Sequence, residues 1–320
     1  MKIGMVISGG DVSGINNFIF QIARLASADI TLFNGGIPGL LDKNHHEVAW
    51  RDLVDFSIAS IPIITSGRTS RRLLRSEYET IAKKIKSLRI DVLIMAGGDG
   101  SLQFLNTLSE FDINCFGVGM TIDNDVYGSD YTIGFSTACE QIIKEVSRLR
   151  NTGRALPGRV FMVEILGGYC GELTLQSAIK SNADVALIPE SQLPLETLAE
   201  RVKHKLTQQN SVVILCSEGY TREYSPGFQG AIDTMIKQLE PQIGVRIRKT
   251  IVGYGLRNGD PTCEEIYQGT IMASEVVRCI QSGMKNKAII INSSNKPIPI
   301  DLVSMKKRLV DTEGHHYKLA

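Results

Sequence analysis

Short runs of continuous apolar residues, each followed by a helical pattern, constrain the fold of this chain more than any other feature. The runs KIGMVI, DVLIMA and NCFGVG occupy residues 2–7, 91–96 and 114–119. The segment INNFIFQIARLA at 15–26 follows the first run and has the apolar spacing of a helix. A strand that is apolar along its whole length is buried on both faces, which is typical of parallel sheets covered by helices. The sequence therefore predicts an α/β protein.

The same pattern continues through the C-terminal half of the chain. Further apolar runs lie at 159–165, 184–189, 211–217, 249–255 and 287–293. Helical patterns lie at 101–111, 136–150 and 195–206. This many strands exceeds one sheet of ordinary size, so we expect two α/β lobes with mostly parallel sheets. No linker or repeat marks a boundary, and the chain is free to cross between the lobes more than once.

Composition excludes several classes of function. Lys plus Arg number 35 and Asp plus Glu number 34, and a net charge of +1 favours neither a nucleic-acid nor an acidic-membrane partner. We find no secretory signal and no apolar run long enough to span a bilayer, so we expect a cytoplasmic protein without membrane contact. The six cysteines form no CxxC pair and are expected to be reduced core thiols. The five histidines match no metal motif, and we expect all of them at the surface.

Two glycine-rich loops follow predicted strands, where open parallel sheets bind their ligands. In SGGDVSG at 8–14, Gly9 and Gly10 allow a phosphate to approach the backbone, and a helix N-terminus follows. In GGDGS at 97–101, Asp99 can hold a Mg²⁺ ion that bridges phosphate oxygens. A tight strand-to-helix turn and an Asp-Gly turn are the plain alternatives. Two such loops at successive strand ends make those alternatives less favoured.

A third strand-end loop, TIDND at 121–125, carries two carboxylates. Thr121, Asp123 and Asp125 meet the needs of phosphoryl transfer, which requires an acceptor for the hydroxyl proton and charge neutralisation. A solvated loop with Asx turns explains the same residues, and spacing alone does not decide. Arginines suited to phosphate oxygens are available elsewhere, although single arginines are usually solvated. They include Arg68, Arg71, Arg72, Arg75, Arg154, Arg159, Arg246, Arg248 and Arg257.

Taken in order, these loops resemble the phosphofructokinase family. The matching segments are SGGDVSG, GGDGS, TIDND, GSDYTIGFSTA, GGYCGEL, SEG and GLRNGDP, and the resemblance runs from residue 2 to about 300. TIDND with DYTIGFSTA is highly specific, whereas GGDGS alone also occurs in NAD kinases and lipid kinases. The resemblance implies two Rossmann-like α/β/α lobes. It implies a nucleotide-binding lobe of 1–138 plus about 251–303 and a sugar-phosphate-binding lobe of 139–250 plus about 304–320.

The resemblance also implies a role for each matching residue. Asp123 is the base that takes the proton from the sugar 1-hydroxyl, Thr121 and Asp125 hold the substrate and the metal–phosphate region, and Arg68 bridges to the transferred phosphate. The nucleotide phosphates are bound by Gly10, Arg68, Thr69, Gly98, Asp99, Gly100 and Ser101, with Asp99 on Mg²⁺. The sugar phosphate is bound by Glu218, Arg159, Arg248, Arg257, Leu166, Gly167, Gly168 and Tyr254. Some of those arginines come from a neighbouring subunit in this family, which implies a homodimer or homotetramer with shared active sites.

Several positions depart from the family pattern. Pyrophosphate-using members resemble GGDDS and PKTIDND, whereas this chain has Gly100 and Met120, so ATP is favoured as the donor. Leu166-Gly167-Gly168 lacks the arginine of the usual MGR, and Tyr254 replaces a histidine. The effector pocket is also changed. The changed positions are Phe20, Thr207 and Gln209, and we predict no response to ADP or phosphoenolpyruvate as effectors.

The leading interpretation is a Mg²⁺- and ATP-dependent kinase of a ketose phosphate, with fructose 6-phosphate as the expected acceptor. The altered sugar end keeps open a different acceptor, such as sedoheptulose 7-phosphate. A catalytically weak sugar-phosphate sensor is a third reading, which the retained Asp99, Asp123 and Asp125 disfavour. An NAD kinase would explain GGDGS but neither TIDND nor the C-terminal arginines.

Overall fold

The computed structural model shows two compact units. It describes residues 1–320 except Lys43, Ser70, 222–230, 305–307, His316 and 318–320. The first unit comprises Met1–Thr137 and Arg257–Arg308, and the second comprises Ala138–Leu256 and Leu309–Ala320. Each unit is therefore built from two separate stretches, and the chain crosses between the units more than once.

Strands and helices alternate along most of the described chain. The strands are β1 Ile3–Ser8, β2 Ile30–Phe33, β3 His45–Val48, β4 Val92–Gly97, β5 Cys115–Gly119, β6 Arg159–Ile165, β7 Val185–Leu187, β8 Ser211–Ser217, β9 Ile247–Ile251, β10 Lys287–Ile291 and β11 Pro297–Asp301. The helices are α1 Ile15–Ala26, α2 Gly36–Leu41, α3 Arg75–Ser87, α4 Asp99–Ser109, α5 Phe135–Ala155, α6 Glu172–Ser181, α7 Leu195–Gln208, α8 Ala231–Ile243 and α9 Cys263–Gln281. The predicted α/β class is confirmed.

The first unit contains a sheet with the strand order β11-β10-β5-β4-β1-β2-β3. Its middle strands pair in parallel, and every residue of β1, β4 and β5 is buried, as the continuous apolar runs predict. The two edge strands, β3 and β11, pair antiparallel with their neighbours. The sheet places the ends of β5, β4 and β1 side by side.

The second unit contains a parallel sheet with the order β7-β8-β6-β9. Its core packs Val160 and Met162 of β6 and Ile214 of β8 against Leu239 of α8. The predicted strand at 249–255 is wrong at its C-terminal end. Gly253 has a φ of 57°, a left-handed conformation that a strand cannot contain, and a 3-10 helix occupies Gly253–Arg257.

The burial of cysteines and histidines follows the expectation with two exceptions, Cys263 and His45. Five cysteines are buried free thiols, and Cys263 is exposed. The expectation that every histidine lies at the surface is wrong for His45. Its ring is half-buried and lies 5.5 Å from the ring of Phe33, because it sits on the edge strand beside β2. Burial, with Lys84 and Lys2 nearby, lowers the pKa of His45; His316 is outside the described residues.

In the described part of the chain, every helix is too short or too polar to cross a membrane.

Candidate active site

Three predicted loops meet at one edge of the sheet in the first unit. Ser8, Gly97 and Gly119 end three adjacent strands in matching register, so the loops that follow these strands are neighbours. A cavity of about 850 Å³ opens there. The predicted site residues that line it are Gly10, Arg68, Thr69, Gly98, Asp99, Gly100, Ser101, Thr121, Asp123, Asp125 and Arg257. All the predicted residues that belong to this unit are therefore brought together.

The glycine loops leave space for a ligand. A Cβ atom added at Gly98 or Gly100 would meet no protein atom within 4 Å. Gly10 differs, because a Cβ there would overlap the guanidinium group of Arg257. Helix α4 begins at Asp99, so its first backbone N–H groups and the positive end of its dipole lie at the cavity. A helix N-terminus of this kind binds phosphate well.

Arg68 is fixed beside the first glycine loop. Its Nε donates to the carbonyl oxygen of Gly9 at 3.0 Å, and the N–H of Gly9 donates to the carbonyl of Gly67 at 3.1 Å. Arg71 also lines the cavity, but both of its terminal nitrogens bind Glu77, at 2.8 and 2.7 Å. This pair lowers the pKa of Glu77 to about 2. Arg68 is thus directed toward the loop, while Arg71 stabilises the start of α3.

The TIDND loop is a packed structure. The N–H of Thr121 donates to the carbonyl of Ile133 at 3.0 Å, and the N–H of Asp123 donates to the Thr121 hydroxyl at 3.2 Å. Asn124 is buried with a φ of 51°, a left-handed conformation that asparagine tolerates. Asp125 is buried as well, and Asp123 is half-buried. A solvated polar loop does not describe this arrangement.

The back of the same loop is held by a residue near the C-terminus. The backbone N–H of Arg308 donates to the carbonyl of Asp125 at 2.6 Å. Its guanidinium group donates to the carbonyl of Ser129 at 2.7 Å and approaches the carboxylate of Asp130 at 3.3 Å. The sequence contains no motif that would single out Arg308, since the contact joins positions 183 residues apart, at 125 and 308.

An apolar wall forms another side of the cavity. It includes Ile37, Leu73, Tyr78 and Phe104, and the rings of Tyr78 and Phe104 stack at 5.2 Å. An apolar surface beside a phosphate-binding helix terminus suits the base of a nucleotide.

The predicted residues of the second unit form two separate groups. Glu218 follows β8, and its carboxylate accepts from the N–H groups of Gly167 and Gly168 at 3.2 and 2.8 Å. These residues, with Leu166, lie at the carboxyl ends of β6 and β8. Tyr254 is highly exposed.

Arg159 and Arg248 are not brought to Glu218 within this unit. Arg159 begins β6, and Arg248 is the second residue of β9. Six residue steps along β6, from Arg159 to Ile165, span about 20 Å of strand. The two arginines therefore lie toward the opposite edge of the same sheet.

Glu164, which lies next to the end of β6, was not predicted as a candidate site residue. Burial, with Glu218 nearby, raises the pKa of Glu164, and Lys249 opposes the shift. The available signal was an acidic residue in the otherwise apolar run RVFMVEI.

Known proteins that resemble this chain are kinases and phosphotransferases of fructose 6-phosphate. The family model described as phosphofructokinase matches residues 2–280. The ATP-dependent 6-phosphofructokinase of Spiroplasma citri is 32% identical over 299 residues, covering 90% of this chain and 86% of that protein. The pyrophosphate–fructose 6-phosphate 1-phosphotransferase of Thermoproteus tenax is 29% identical over 323 residues, which cover 97% of this chain and 95% of that protein.

A solved structure supports the same relationship. The phosphofructokinase of Saccharomyces cerevisiae matches with a TM-score of 0.82 at 25% identity and covers 94% of this chain. This chain covers 45% of the yeast chain, less than half of its length. The family model spans most of the sequence, so the predicted resemblance is confirmed and the chain belongs to the phosphofructokinase family.

Proposed function

We propose that this protein is an ATP-dependent kinase that phosphorylates the 1-hydroxyl of fructose 6-phosphate and so forms fructose 1,6-bisphosphate. The observation that carries the proposal is the single cavity in which Asp99, Asp123 and Asp125 meet both glycine loops and Arg68. The arrangement supplies what phosphoryl transfer needs: a proton acceptor, a phosphate cradle and positive charge. The names of the relatives support the same reaction.

The reaction is an in-line transfer. The sugar 1-hydroxyl oxygen attacks the γ-phosphorus, the bond to the β,γ-bridging oxygen breaks, and ADP leaves. Asp123 accepts the hydroxyl proton, because it is a half-buried carboxylate on a packed loop. Arg68 offsets charge on the phosphoryl group, and the N-terminus of α4 holds the donor phosphates.

The cavity fits a magnesium ion. Mg²⁺ is usually bound through one or two carboxylates together with substrate phosphates. Asp99 lies among glycines with open space around them and begins the phosphate-facing helix, so it is the residue that would hold the ion. When bound, Mg²⁺ neutralises negative charge on the donor phosphates. Among the described residues, no group of three or more His, Cys, Asp or Glu side chains could hold a metal ion.

ATP rather than pyrophosphate is the proposed donor. The open space at Gly100 leaves room for a third phosphate, and the apolar wall with Tyr78 and Phe104 offers a surface for a base. Met120 is buried and carries no positive charge that would bind pyrophosphate. A pyrophosphate-using relative is also similar to this chain, so overall sequence identity does not distinguish the two donors. The site residues are what support ATP.

The acceptor is fructose 6-phosphate. Glu218 binds sugar hydroxyls, with Leu166, Gly167 and Gly168 around it, and the 6-phosphate is bound by Arg159, Arg248, Arg257 and Tyr254. The missing arginine at Gly168 is the one feature that favours a longer ketose phosphate as an alternative acceptor.

An oligomer with shared sites is part of the proposal. Arg159 and Arg248 start their strands, whereas Glu218 follows a strand end of the same sheet. One sugar phosphate is too short to reach both groups in one unit, so we propose that the two arginines serve the site of a second copy. A homodimer or homotetramer and a cytoplasmic location stay predictions.

The test is a coupled assay of the purified protein that combines ATP or pyrophosphate with fructose 6-phosphate or sedoheptulose 7-phosphate. We expect turnover with ATP and fructose 6-phosphate, and a fall in kcat of about 10²–10⁴-fold in Asp123→Asn because the proton acceptor is lost. The matched control is Asp112→Asn. The Asp112 side chain is 96% exposed, and its carboxylate lies 3.6 Å from the half-exposed ammonium group of Lys86.

Four results would contradict the proposal or a part of it. Higher kcat/KM with the seven-carbon sugar would change the acceptor, and turnover only with pyrophosphate would change the donor. No turnover with any pair, together with a Tm raised by sugar phosphates, would indicate a sensor. A near-normal kcat in Asp123→Asn would remove that residue as the base.

A further inference from the structure

A carboxylate that the proposed mechanism does not use is completely buried in the first unit. Glu265 lies in the first turn of α9, and none of its surface is exposed. Burying a carboxylate is unfavourable unless hydrogen bonds compensate for the lost water. The side chain therefore needs partners, and the structure supplies them from a distant part of the sequence.

Every hydrogen bond to the Glu265 carboxylate comes from the segment 131–137. One oxygen accepts from the hydroxyl of Tyr131 at 2.7 Å and from the N–H of Gly134 at 2.6 Å. The other oxygen accepts from the N–H and the hydroxyl of Thr137, both at 3.1 Å. Both oxygens are thus occupied by donors, and a carboxylate is the side chain that accepts with all its polar atoms.

The segment 131–137 in turn holds the TIDND loop. The carbonyl of Ile133 accepts from the N–H of Thr121, and the N–H of Ile133 donates to the carbonyl of Gly119 at 2.9 Å. The hydroxyl of Thr132 donates to the carbonyl of Thr121 at 2.6 Å and lies 3.2 Å from the side-chain oxygen of Asn124. These bonds join the buried carboxylate to the residues on either side of Asp123.

The chemistry of this network favours positioning over simple packing. An apolar side chain of similar volume would fill the same space without the cost of burying a charge. Here the carboxylate instead fixes four donors of one segment, and that segment forms one wall of the loop that carries the proposed base. Misplacing a catalytic group by about 1 Å can lower a rate about 10²-fold.

We propose that Glu265 is a positioning residue for phosphoryl transfer, which holds the segment 131–137 so that Thr121 and Asp123 keep their places at the cavity. This inference rests on the proposed function. It extends the active site to a residue of α9 that touches neither substrate.

The test compares Glu265→Gln with Glu264→Gln. In Glu265→Gln, the side-chain NH₂ group would face N–H or O–H donors of the 131–137 segment. Two donors cannot bond to each other, so hydrogen bonds to that segment would be lost. Glu264 is the exposed neighbour in the same helical turn, so the control removes the same charge near the same helix terminus. At about pH 8 we expect kcat to fall about 10- to 100-fold in Glu265→Gln, with KM for both substrates changed less than about threefold. The control should keep the kcat of the wild type.

The pH profile gives a readout that a purely structural role would not change. Burial raises the pKa of Glu265 to about 7, against the hydrogen bonds from Gly134, Tyr131 and Thr137, which lower it. Among the described residues, the titratable group that contacts this carboxylate is Tyr131, through its hydroxyl. We expect the difference in kcat between wild type and Glu265→Gln to shrink as pH falls through about 7, where the wild-type carboxylate takes up a proton.

A second measurement needs no activity. Hydrogen exchange in Glu265→Gln should be faster in peptides from 119–137 and unchanged in β4. If wild-type protein transfers no phosphoryl group, the proposed function fails while this exchange pattern still decides the role of Glu265. If Glu265→Gln does not fold, Tyr131→Phe removes one donor, and we expect a kcat several-fold lower with unchanged KM.

Two outcomes overturn the inference. One is a kcat within about twofold of the wild type at about pH 8 in folded Glu265→Gln or Tyr131→Phe, because a residue that positions the proposed base cannot be changed without slowing the reaction by more than that. The other is an exchange increase spread evenly over the first unit, which would show a general loss of stability.

Discussion

At the scale of single residues, the glycines of the cavity differ in what lies beside them. Gly100 illustrates this, because a Cβ atom there meets no neighbour although the residue lines a cavity. The sequence predicted the position of this loop correctly from its glycines and its place after a strand. The sequence alone did not distinguish Gly100, which faces open space, from Gly10, where the guanidinium group of Arg257 occupies it.

Gly100→Asp tests the proposed donor. The new carboxylate would lie beside the donor phosphates, where like charges repel by several kcal/mol. We expect KM for ATP to rise at least about 10-fold with KM for fructose 6-phosphate nearly unchanged, as measured by steady-state kinetics. Gly100→Ala is the control and should leave both constants near the wild-type values. An unchanged KM for ATP in Gly100→Asp would place the phosphates elsewhere.

His45 predicts a dependence of stability on pH. Burial lowers its pKa from the ordinary 6.5, and Lys84 and Lys2 add to the shift while Glu47 opposes it and His46 adds slightly. A lowered pKa in the folded state means that the unfolded state binds the proton more readily. The stabilising contribution is therefore present above about pH 6.5 and is lost as pH falls through the lower folded-state value.

The measurement is the free energy of unfolding in urea at about pH 7.5 and about pH 5. We expect His45→Gln to lose less stability on acidification than the wild type. His204→Gln changes an exposed histidine in the same way and should behave like the wild type. Equal losses in wild type and His45→Gln would contradict the assignment.

At the scale of elements, helices and central strands were easier to predict than edges. Helix α1 has the predicted bounds, because its apolar residues repeat with the helical period and face the core. Strand β3, HHEV, was missed because it is a half-exposed edge strand without an apolar run. Strand β11, PIPID, was missed because its prolines disfavour a strand except at an edge, which is where it lies.

In the candidate site, too, local motifs were easier to predict than contacts between distant parts of the sequence. The loops of the cavity were predicted from residues close together in sequence, and their functional roles stay predictions. Glu265 and Arg308 were not predicted, because each contacts a loop more than 100 residues away. In the sequence, Glu265 looks like an ordinary acidic residue in the first turn of a helix, where the helix dipole favours it.

Gln209, one of the changed effector positions, takes part in a contact between helix α5 and the strands beside it. Arg150 of α5 contacts the Asp184 carboxylate at 2.9 Å, and that carboxylate also accepts from Gln209 at 2.6 Å and from the N–H of Val213 at 2.7 Å. The arginine and the acid thus satisfy each other. We expect phosphoenolpyruvate and added ADP, at subsaturating fructose 6-phosphate, to leave the velocity unchanged apart from product inhibition. Sigmoidal kinetics induced by either compound would refute this.

At the scale of the whole molecule, the placement of Arg159 and Arg248 leads to a test of subunit complementation. If each active site takes Asp123 from one subunit and Arg159 from its neighbour, then Asp123→Asn and Arg159→Ala change residues that different subunits contribute to the same site. Mixing the two inactive variants under conditions of subunit exchange should restore part of the activity, because some mixed sites contain neither substitution. Each variant mixed with itself is the control. Mixed oligomers, isolated by two different tags, that remain inactive would contradict sharing.

The contact between Arg308 and the TIDND loop has a consequence for the gene. A stop codon shortly before codon 308 would leave the glycine loops, carboxylates and arginines of the proposed site encoded, yet remove the backbone N–H that supports Asp125. Such an allele would look intact by its motifs and encode a defective enzyme. The integrity of the codons from 308 onward therefore belongs among the criteria for judging whether a related reading frame encodes an active protein.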